Sequence, residues 1–205
     1  MAKSSAVRLK HEGTRPRRGT PDETRERIMR AAASQFNHLG YHGSDSNSIA
    51  REAGYATGTF YKHFRDKREV FLAVYERWVD AQWETIDEEL SVKRKAEETA
   101  RRLVELSIEF HTKWRGLRAS LMELIFSDPD ARKFFRTQRR RQLDKMAELR
   151  LRLSLPARSR EEDAIHLFIT ERVFDAIGQG EIQSLGLNQD LVVESMVQRV
   201  HALLK

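Results

Sequence analysis

The sequence contains no cysteine, and this absence excludes several kinds of chemistry. Disulfide cross-links, thiolate redox sensors, cysteine nucleophiles and zinc sites with sulfur ligands all depend on that residue. Long apolar runs are also missing. The longest, residues 70–75, is far too short to span a bilayer, and the first residues lack the apolar core of a signal peptide. We therefore expect a protein of the reducing cytoplasm that is neither exported nor bound to a membrane.

Motifs for enzymatic chemistry and for metal binding are equally scarce. We find no nucleophile elbow, no glycine-rich phosphate loop and no HExxH sequence. His38 and His42 have the four-residue spacing of metal ligands on a helix, but Gly40 between them is expected to end that helix. The sequence thus predicts neither an enzyme nor a metal or cofactor site.

What is present is a globular balance of 40% hydrophobic and 33% charged residues with an uneven charge distribution. Residues 1–70 contain 14 Lys and Arg against 8 Asp and Glu, whereas the remainder contains 23 of each, so the whole net charge of +6 is N-terminal. Such asymmetry is expected when one segment binds a polyanion, with nucleic acid as the leading candidate. A basic tail that serves only solubility explains the charge equally well.

Helical periodicity begins after residues 1–20, a basic segment without regular pattern that we interpret as a flexible arm. Apolar residues then recur every three or four positions up to Leu39, and Gly40 supplies the left-handed conformation that commonly ends a helix. Two short helices are predicted next, at residues 46–53 and 57–64. Together the three helices form a helix-turn-helix unit.

The rest of the chain is predicted to be helical throughout, with no β-hairpin signal and no internal repeat. The predicted fold is all-α, with a three-helix domain at residues 21–67 and a regulatory and dimerisation domain at residues 68–205. Proline and glycine residues separate the periodic stretches of the second domain, as expected of residues that end helices. Its six predicted helices are residues 67–90, 95–114, 117–127, 130–153, 160–179 and 189–204.

Residues 40–67 have the residue types that a DNA-binding helix-turn-helix needs. Small apolar side chains allow the second helix to pack closely on the third, and Gly54 allows the tight turn between them. Phe60 and Phe64 are placed to anchor the third helix inward, which leaves donors on its outer face for phosphates and base edges. The predicted DNA contacts are Ser44, Ser46, Asn47, Thr57, Gly58, Thr59, Tyr61, Lys62, His63 and Lys67, the last directed at a phosphate.

With these residues in place, the segment from Thr24 to Tyr75 resembles the DNA-binding domain of the tetracycline-repressor (TetR) family. The resemblance rests on the order and spacing of IMRAAASQF, GY, SIAREAG and GTFYKHFRDK, followed by an apolar continuation. The later helices match the family only in number, length and placement. The resemblance implies a homodimer that reads a palindromic operator, usually as a repressor, and that leaves DNA when a small molecule enters the C-terminal domain.

Two positions depart from the family pattern. Asp45 and Ser46 stand where the family usually has Thr-Thr-Val at the start of the second helix. Asp45 can cap that helix, but its carboxylate is unfavourable beside a phosphate, so Ser44 or Ser46 is expected to make the contact. Ala56 stands where a serine commonly caps the third helix, so Thr57 is expected to cap as well as to contact DNA.

The C-terminal region predicts an apolar effector site with few polar groups. Ser107 and His111 interrupt the apolar face of residues 95–114, and such groups orient a hydrophobic ligand, although buried serine and histidine bonded to backbone are commoner. We expect an uncharged or weakly polar effector. The candidate effector-binding residues are Trp78, Trp83, Ser107, Phe110, His111, Trp114, Met122, Phe126, Phe135 and Phe168, although aromatics at helical spacing are more often plain core.

The last two predicted helices carry apolar stripes wider than one neighbouring helix can cover, which suits four-helix packing between two subunits. One recognition helix reads only a few base pairs, so useful discrimination also favours a two-fold dimer. The alternative is that both helices complete the core of a monomer. The predicted interface residues are Ile169, Val173, Phe174, Ile177, Val193, Met196, Val197 and Val200.

Two further alternatives concern the basic run at residues 136–141 and the function itself. The run RTQRRR suits a second nucleic-acid patch, but the balanced charge around it favours a solvated helix face. The favoured function is a transcriptional regulator at the cytoplasmic nucleoid, whose partners are duplex DNA and a small molecule. The family resemblance implies a repressor. A nucleoid-associated or cell-division factor with a protein-binding C-terminal domain is the alternative.

Overall fold

The structure, a computed structural model, describes residues 19–205, and within that range every regular element is an α-helix. The predicted all-α fold is therefore confirmed. Most of the predicted basic arm, residues 1–18, lies outside the described residues, and so does its predicted contact with DNA. The helices are α1 (Pro21–Leu39), α2 (Ser46–Glu52), α3 (Thr57–His63), α4 (Lys67–Ser91), α5 (Ala96–Lys113), α6 (Arg115–Ser127), α7 (Pro129–Arg152), α8 (Arg160–Gly178), α9 (Glu181–Ser184) and α10 (Gln189–Leu203).

The single turn of α9 was not predicted, so the part of the chain after α3 contains seven helices rather than six. Two glycines with left-handed backbone, Gly180 (φ 73°) and Gly186 (φ 69°), bracket it, and Ile182 anchors it in the interior. Four residues between two glycines are too few to show a helical period, which is why the pattern indicated a plain connection. No helix of the described residues is long and apolar enough to cross a membrane.

Helix α1 begins at a capping box. The Thr20 side chain accepts a hydrogen bond from the backbone of Glu23, whose carboxylate accepts one from the backbone of Thr20. Ile28 and Phe36 are fully buried on the inner face, whereas Leu39, which the periodicity assigned to that face, is 60% exposed. One apolar core continues from α1 through the first turns of α4 to α6 and α7.

Helix α6 lies against α1 at very close range. A Cβ atom at Gly116 would approach the Asn37 carbonyl oxygen to 2.0 Å, so only glycine allows the two backbones to come this near. The Asn37 side chain donates to the Lys113 carbonyl (2.7 Å) and accepts from the Gly116 amide (3.1 Å). The helix-turn-helix is therefore attached to the rest of the protein through α6 as well as through α4, which also packs against α1.

A second core, between α5, α8 and α10, overturns part of the predicted dimer interface. Phe174, Ile177, Met196 and Val197 are buried within one subunit, because α5 packs against both later helices and covers their apolar stripes. The prediction assumed that these stripes are too wide to be covered within one subunit. The remaining predicted interface residues are half-buried: Ile169, Val173, Val193 and Val200.

Candidate DNA-binding surface and regulatory cavity

The turn between α2 and α3 is held by backbone geometry that glycine supplies. Gly54 has φ 82°, its amide donates to the Arg51 carbonyl (3.0 Å), and the Tyr55 amide donates to the Ala50 carbonyl (2.9 Å). Ala50 and Phe60 are fully buried, so α3 is fixed on α2 by its inner face. The outer face of α3 is left free to enter a DNA groove.

Six of the predicted DNA contacts lie on α3. Tyr61 is 55% exposed, Lys62 is exposed, and a Cβ atom at Gly58 would meet no atom within 4 Å. The other three, Thr57, Thr59 and His63, are half-buried. No side chain caps α3, so the expected capping role of Thr57 is wrong, and its hydroxyl is not used at the helix terminus.

The start of α2 separates the predicted contacts into two groups. Asp45 caps the helix by accepting from the amides of Asn47 (2.8 Å) and Ser48 (3.0 Å). The hydrogen bond from the Ser48 backbone is the main cause that lowers the pKa of Asp45. Asn47 is exposed and Ser46 half-exposed, but Ser44 is buried, and its hydroxyl donates to the Gly40 carbonyl at 2.7 Å. Ser44 therefore stabilises the loop after α1 and cannot reach a phosphate.

Lys67 also points inward rather than to solvent. Its Nζ donates to the carbonyl oxygens of Tyr41 (2.7 Å) and Ser44 (2.8 Å) and lies 4.1 Å from the centre of the Tyr41 ring. Burial lowers the pKa of Lys67, and the negative charge of Asp45, which acts in the opposite direction, only partly offsets this effect. The predicted phosphate contact is thus replaced by a structural one, in which the ammonium ties the loop before α2 to the start of α4.

A cavity of about 190 Å³ lies between α4, α5, α7, α8 and α10, and leucine is the commonest residue in its walls. Of the ten candidate effector-binding residues, Trp83, Ser107 and His111 line it. Trp78, Phe110 and Trp114 line a different groove, between α1, α4 and α5. The others reach neither space: Met122 and Phe135 are half-buried against the core, Phe168 is 56% exposed and Phe126 is 81% exposed.

Sequence reasoning missed most residues of the cavity wall. One signal was available, because Gln142, Met146, Leu149 and Leu153 are spaced by four, three and four residues and form one stripe of α7. Glu171 on α8 gave no such signal. A glutamate in an isolated helical pattern is expected on the surface unless its buried partner is known.

The inner wall of the cavity continues into a buried polar cluster centred on Arg118 of α6. Its Nη1 donates to the Tyr75 hydroxyl (3.0 Å), and its Nη2 donates to Glu171 Oε2 (2.7 Å). Its Nε donates to Asp175 Oδ1 (2.5 Å), which also lies 2.8 Å from His111 Nδ1. His111 and Glu171 line the cavity, so the cluster connects the cavity wall directly to α6.

The cluster is charged despite its burial. Burial alone would raise the pKa of Glu171, but the charge of Arg118 and the hydrogen bond from Arg139 outweigh it and lower that pKa to about 2. Burial likewise opposes the charge of Arg118, yet its oxygen partners raise the pKa well above the usual value. The ion pairs therefore persist at neutral pH.

The basic run on α7 has a structural role that the sequence did not indicate. Arg139 donates to the buried Glu171, and Arg141 donates to Glu76 (2.7 Å) and Asp80 (2.9 Å) on α4. The expected solvated helix face is wrong for Arg139, which is largely buried against α8. Arg141 is exposed as expected, and its ion pairs join α7 to α4 at the surface. Arg136 and Arg140 remain exposed.

Comparison with known proteins supports the N-terminal assignment. A family model described as bacterial regulatory proteins, tetR family, matches residues 28–74. The HTH-type transcriptional activator FasR of Mycolicibacterium smegmatis is 41% identical over 59 residues, which are 29% of this chain and 27% of that protein. The fatty acid metabolism regulator protein of Bacillus subtilis is 31% identical over 71 residues, 35% of this chain and 37% of the other. The chain thus matches only about a quarter to a third of the length of these curated relatives.

The whole fold also has solved counterparts. The transcriptional regulator FadR from Bacillus subtilis, solved in complex with stearoyl-CoA, superposes with a TM-score of 0.60 over 85% of this chain and 96% of that one. The two sequences are 16% identical, so the likeness concerns the fold alone.

Proposed function

We propose that this chain, which belongs to the tetR family of bacterial regulatory proteins by its DNA-binding domain, is a sequence-specific transcriptional regulator that releases its operator when an apolar ligand fills the cavity. One observation carries the proposal. The polar wall of the cavity is bonded to α6, and α6 packs against α1 and bonds to its Asn37 side chain. A ligand that displaces this wall therefore acts on one of the two helices that position α1.

The coupling follows contacts on two sides of α6. On the cavity side, Arg118 is held by Glu171 and Asp175 of α8. On the DNA-binding side, Ser120 Oγ accepts from the Tyr41 amide at 3.0 Å, and the Tyr41 carbonyl in turn accepts from Lys67. A ligand favours release only if it binds better when α6 has moved, and by reciprocity DNA then weakens the ligand.

Fatty acyl compounds are the ligand class that best fits these walls. One relative is a fatty acid metabolism regulator, one structure of similar fold was solved with stearoyl-CoA, and half of the residues that line the cavity here are leucine, isoleucine or valine. The cavity of about 190 Å³ is smaller than the roughly 300–1,000 Å³ of usual ligand sites. A long chain therefore has to separate the helices around it, which is the displacement that the mechanism requires.

We expect saturated fatty acyl ligands to weaken binding to a duplex selected by this protein from random sequences, by about 5- to 150-fold. Ser107→Phe, which fills the cavity, should abolish the effect, whereas Ser91→Phe at an exposed position should retain it. Fluorescence anisotropy at fixed salt measures both. Independent binding of ligand and DNA would contradict the release mechanism and favour the alternative of a DNA-bound factor whose C-terminal domain binds protein.

We also propose a two-fold homodimer through α8 and α10. Its contacts are made by exposed residues of these helices rather than by the buried residues that the sequence pattern predicted. Ile165, Phe168 and Leu191 are each more than half exposed in the single subunit. Glu at the buried positions Phe174 or Val197 would unfold the subunit and could not test the interface.

Phe168→Glu combined with Leu191→Glu should therefore give a folded monomer that binds the operator much more weakly, because each monomer reads one half-site. Light scattering gives the mass, and circular dichroism checks the fold. Phe126→Glu is the matched control, since Phe126 is still more exposed but lies on α6. If the double variant stays dimeric, this interface is wrong.

A further inference from the structure

One end of the cavity is built differently from the rest. Leu155, in the connection between α7 and α8, and Leu203, at the end of α10, line it together with Arg150 and His166. The Arg158 guanidinium lies at the same place, because its Nη2 donates to the Ala202 carbonyl at 3.3 Å. Arg199 precedes Leu203 by four residues on α10, so it lies on the same side of that helix. Neither Arg158 nor Arg199 lines the cavity itself, so both lie at its rim. We call this end, with Arg158, His166 and Arg199, the arginine end.

Positive charge at the arginine end exceeds what nearby carboxylates neutralise. Arg150 is paired with Asp163, and both side chains are almost fully buried. The Glu162 carboxylate accepts from the amide (2.8 Å) and hydroxyl (3.1 Å) of Ser159. The pKa of Glu162 is lowered first by the Ser159 backbone hydrogen bond and also by the charges of Arg158 and Arg150. Within residues 19–205, Arg158 and Arg199 nevertheless have no carboxylate within 4.0 Å, so three arginines face two carboxylates.

The positive charge of the arginine end affects the pKa of His166, whose side chain lines the cavity. Its burial, followed by the charges of Arg158, Arg150 and Arg199, lowers the pKa of its imidazole to about 4. These arginines belong to three different elements: α7, the α7–α8 connection and α10. A neutral imidazole that lines the aliphatic cavity thus stands near two guanidinium groups that have no ion-pair partner among residues 19–205.

We infer that the cavity binds an amphipathic anion, whose apolar chain lies among the leucines and whose charged group lies at Arg158 and Arg199 beside His166. This inference rests on the proposed function and replaces the uncharged effector that the sequence predicted. The shared chemistry is an anionic oxygen group on an aliphatic chain. A free carboxylate and the phosphates of a CoA thioester both supply it.

Binding of the anion has a consequence at His166 that a neutral ligand lacks. A negative charge beside the imidazole opposes the three arginines and raises the pKa of His166 from about 4. Protein with bound anion then takes up a proton as the pH falls from the raised value towards 4. Over that window the affinity for a permanently charged alkyl sulfonate rises with acidity.

The test compares decanoate, decanol and decanoyl-CoA by calorimetry on the full-length protein at pH 7.5. We expect at least one of the anions to bind about tenfold more tightly than decanol, and this preference to be lost in Arg158→Gln/Arg199→Gln. Arg136→Gln/Arg140→Gln removes two exposed arginines of α7 and should keep it. An arginine-dependent preference for decanoate identifies a carboxylate, and one for decanoyl-CoA alone identifies the phosphates.

A second readout is the His166 pKa, followed by NMR with and without decanesulfonate. It should rise by at least one unit in the wild type and stay unchanged with decanol. Equal binding of decanol and both anions, or an unchanged preference in the arginine variant, would overturn the inference while leaving the release mechanism intact. If no compound binds, the effector part of the proposed function fails as well.

Discussion

Replacing Arg118 by Met is expected to lower the free energy of unfolding by about 3–5 kcal/mol, because it leaves buried carboxylates without their shared cation. Glu171 retains Arg139 and Gln142, but Asp175 keeps only the neighbouring His111 as a partner. For a chain of this size the melting temperature should fall by roughly 6–20 °C. Chemical denaturation and calorimetry measure the two quantities.

The matched control is Arg136→Met, which removes an exposed arginine of α7 and should change stability by less than about 0.5 kcal/mol. Adding Asp175→Asn to Arg118→Met should recover part of the loss, since the carboxylate that has lost its cation is then replaced by a neutral amide. A loss for Arg118→Met no larger than that of the control would show that the cluster contributes nothing to stability.

The same cluster predicts an acid transition. The pKa of Glu171 is lower in the folded protein, about 2, than the ordinary value of 4.5, so its ion pairs stabilise the fold above pH 4.5. That contribution is lost as the pH falls from 4.5 towards 2. Glu171→Gln should therefore show a shallower decline in stability over this window.

The fold was largely predictable from sequence because many helix ends carry a local signal, such as a capping side chain, a glycine or a proline. The connections at Gly40, at Gly54 and between Asp128 and Pro129 were read correctly, since each depends on the backbone preferences of residues adjacent to it. Burial of Phe60 and Phe64 also followed from local spacing. These features depend on the chain within about one turn of the residue concerned.

Contacts between distant segments were not predictable in this way. The burial of Phe174 and Val197 depends on α5, which precedes α8 by more than 40 residues. The inward direction of Lys67 depends on carbonyl groups of Tyr41 and Ser44, and a backbone carbonyl has no sequence signature. The residue type of Lys67 indicated an ammonium group that binds oxygen atoms. It did not indicate whether those atoms belong to a DNA phosphate or to the backbone of the protein.

The same limit applies to the candidate ligand site. Ser107 and His111 stood out because they interrupt an apolar stripe, and both do line the cavity. The aromatic residues were chosen by type, and most of them face the core, another groove or solvent. The charge of the arginine end comes from residues on three elements, so no single segment displays it.

The last prediction separates the two lysines that sequence reasoning treated alike. Lys62→Ala should weaken binding to all duplexes, reduce the slope of log affinity against log salt by about one and leave stability unchanged, because Lys62 is exposed on the outer face of α3. Lys67→Met should instead lower stability by about 1–3 kcal/mol, since it removes two hydrogen bonds from an ammonium to buried carbonyls. It should also weaken DNA binding, by releasing the loop that positions α2, with little change in slope.

Salt titrations by anisotropy give the salt slope of each variant, and denaturation curves give the stability of each. A loss of about one in the slope for Lys67→Met at unchanged stability would restore the phosphate contact and refute the positioning role.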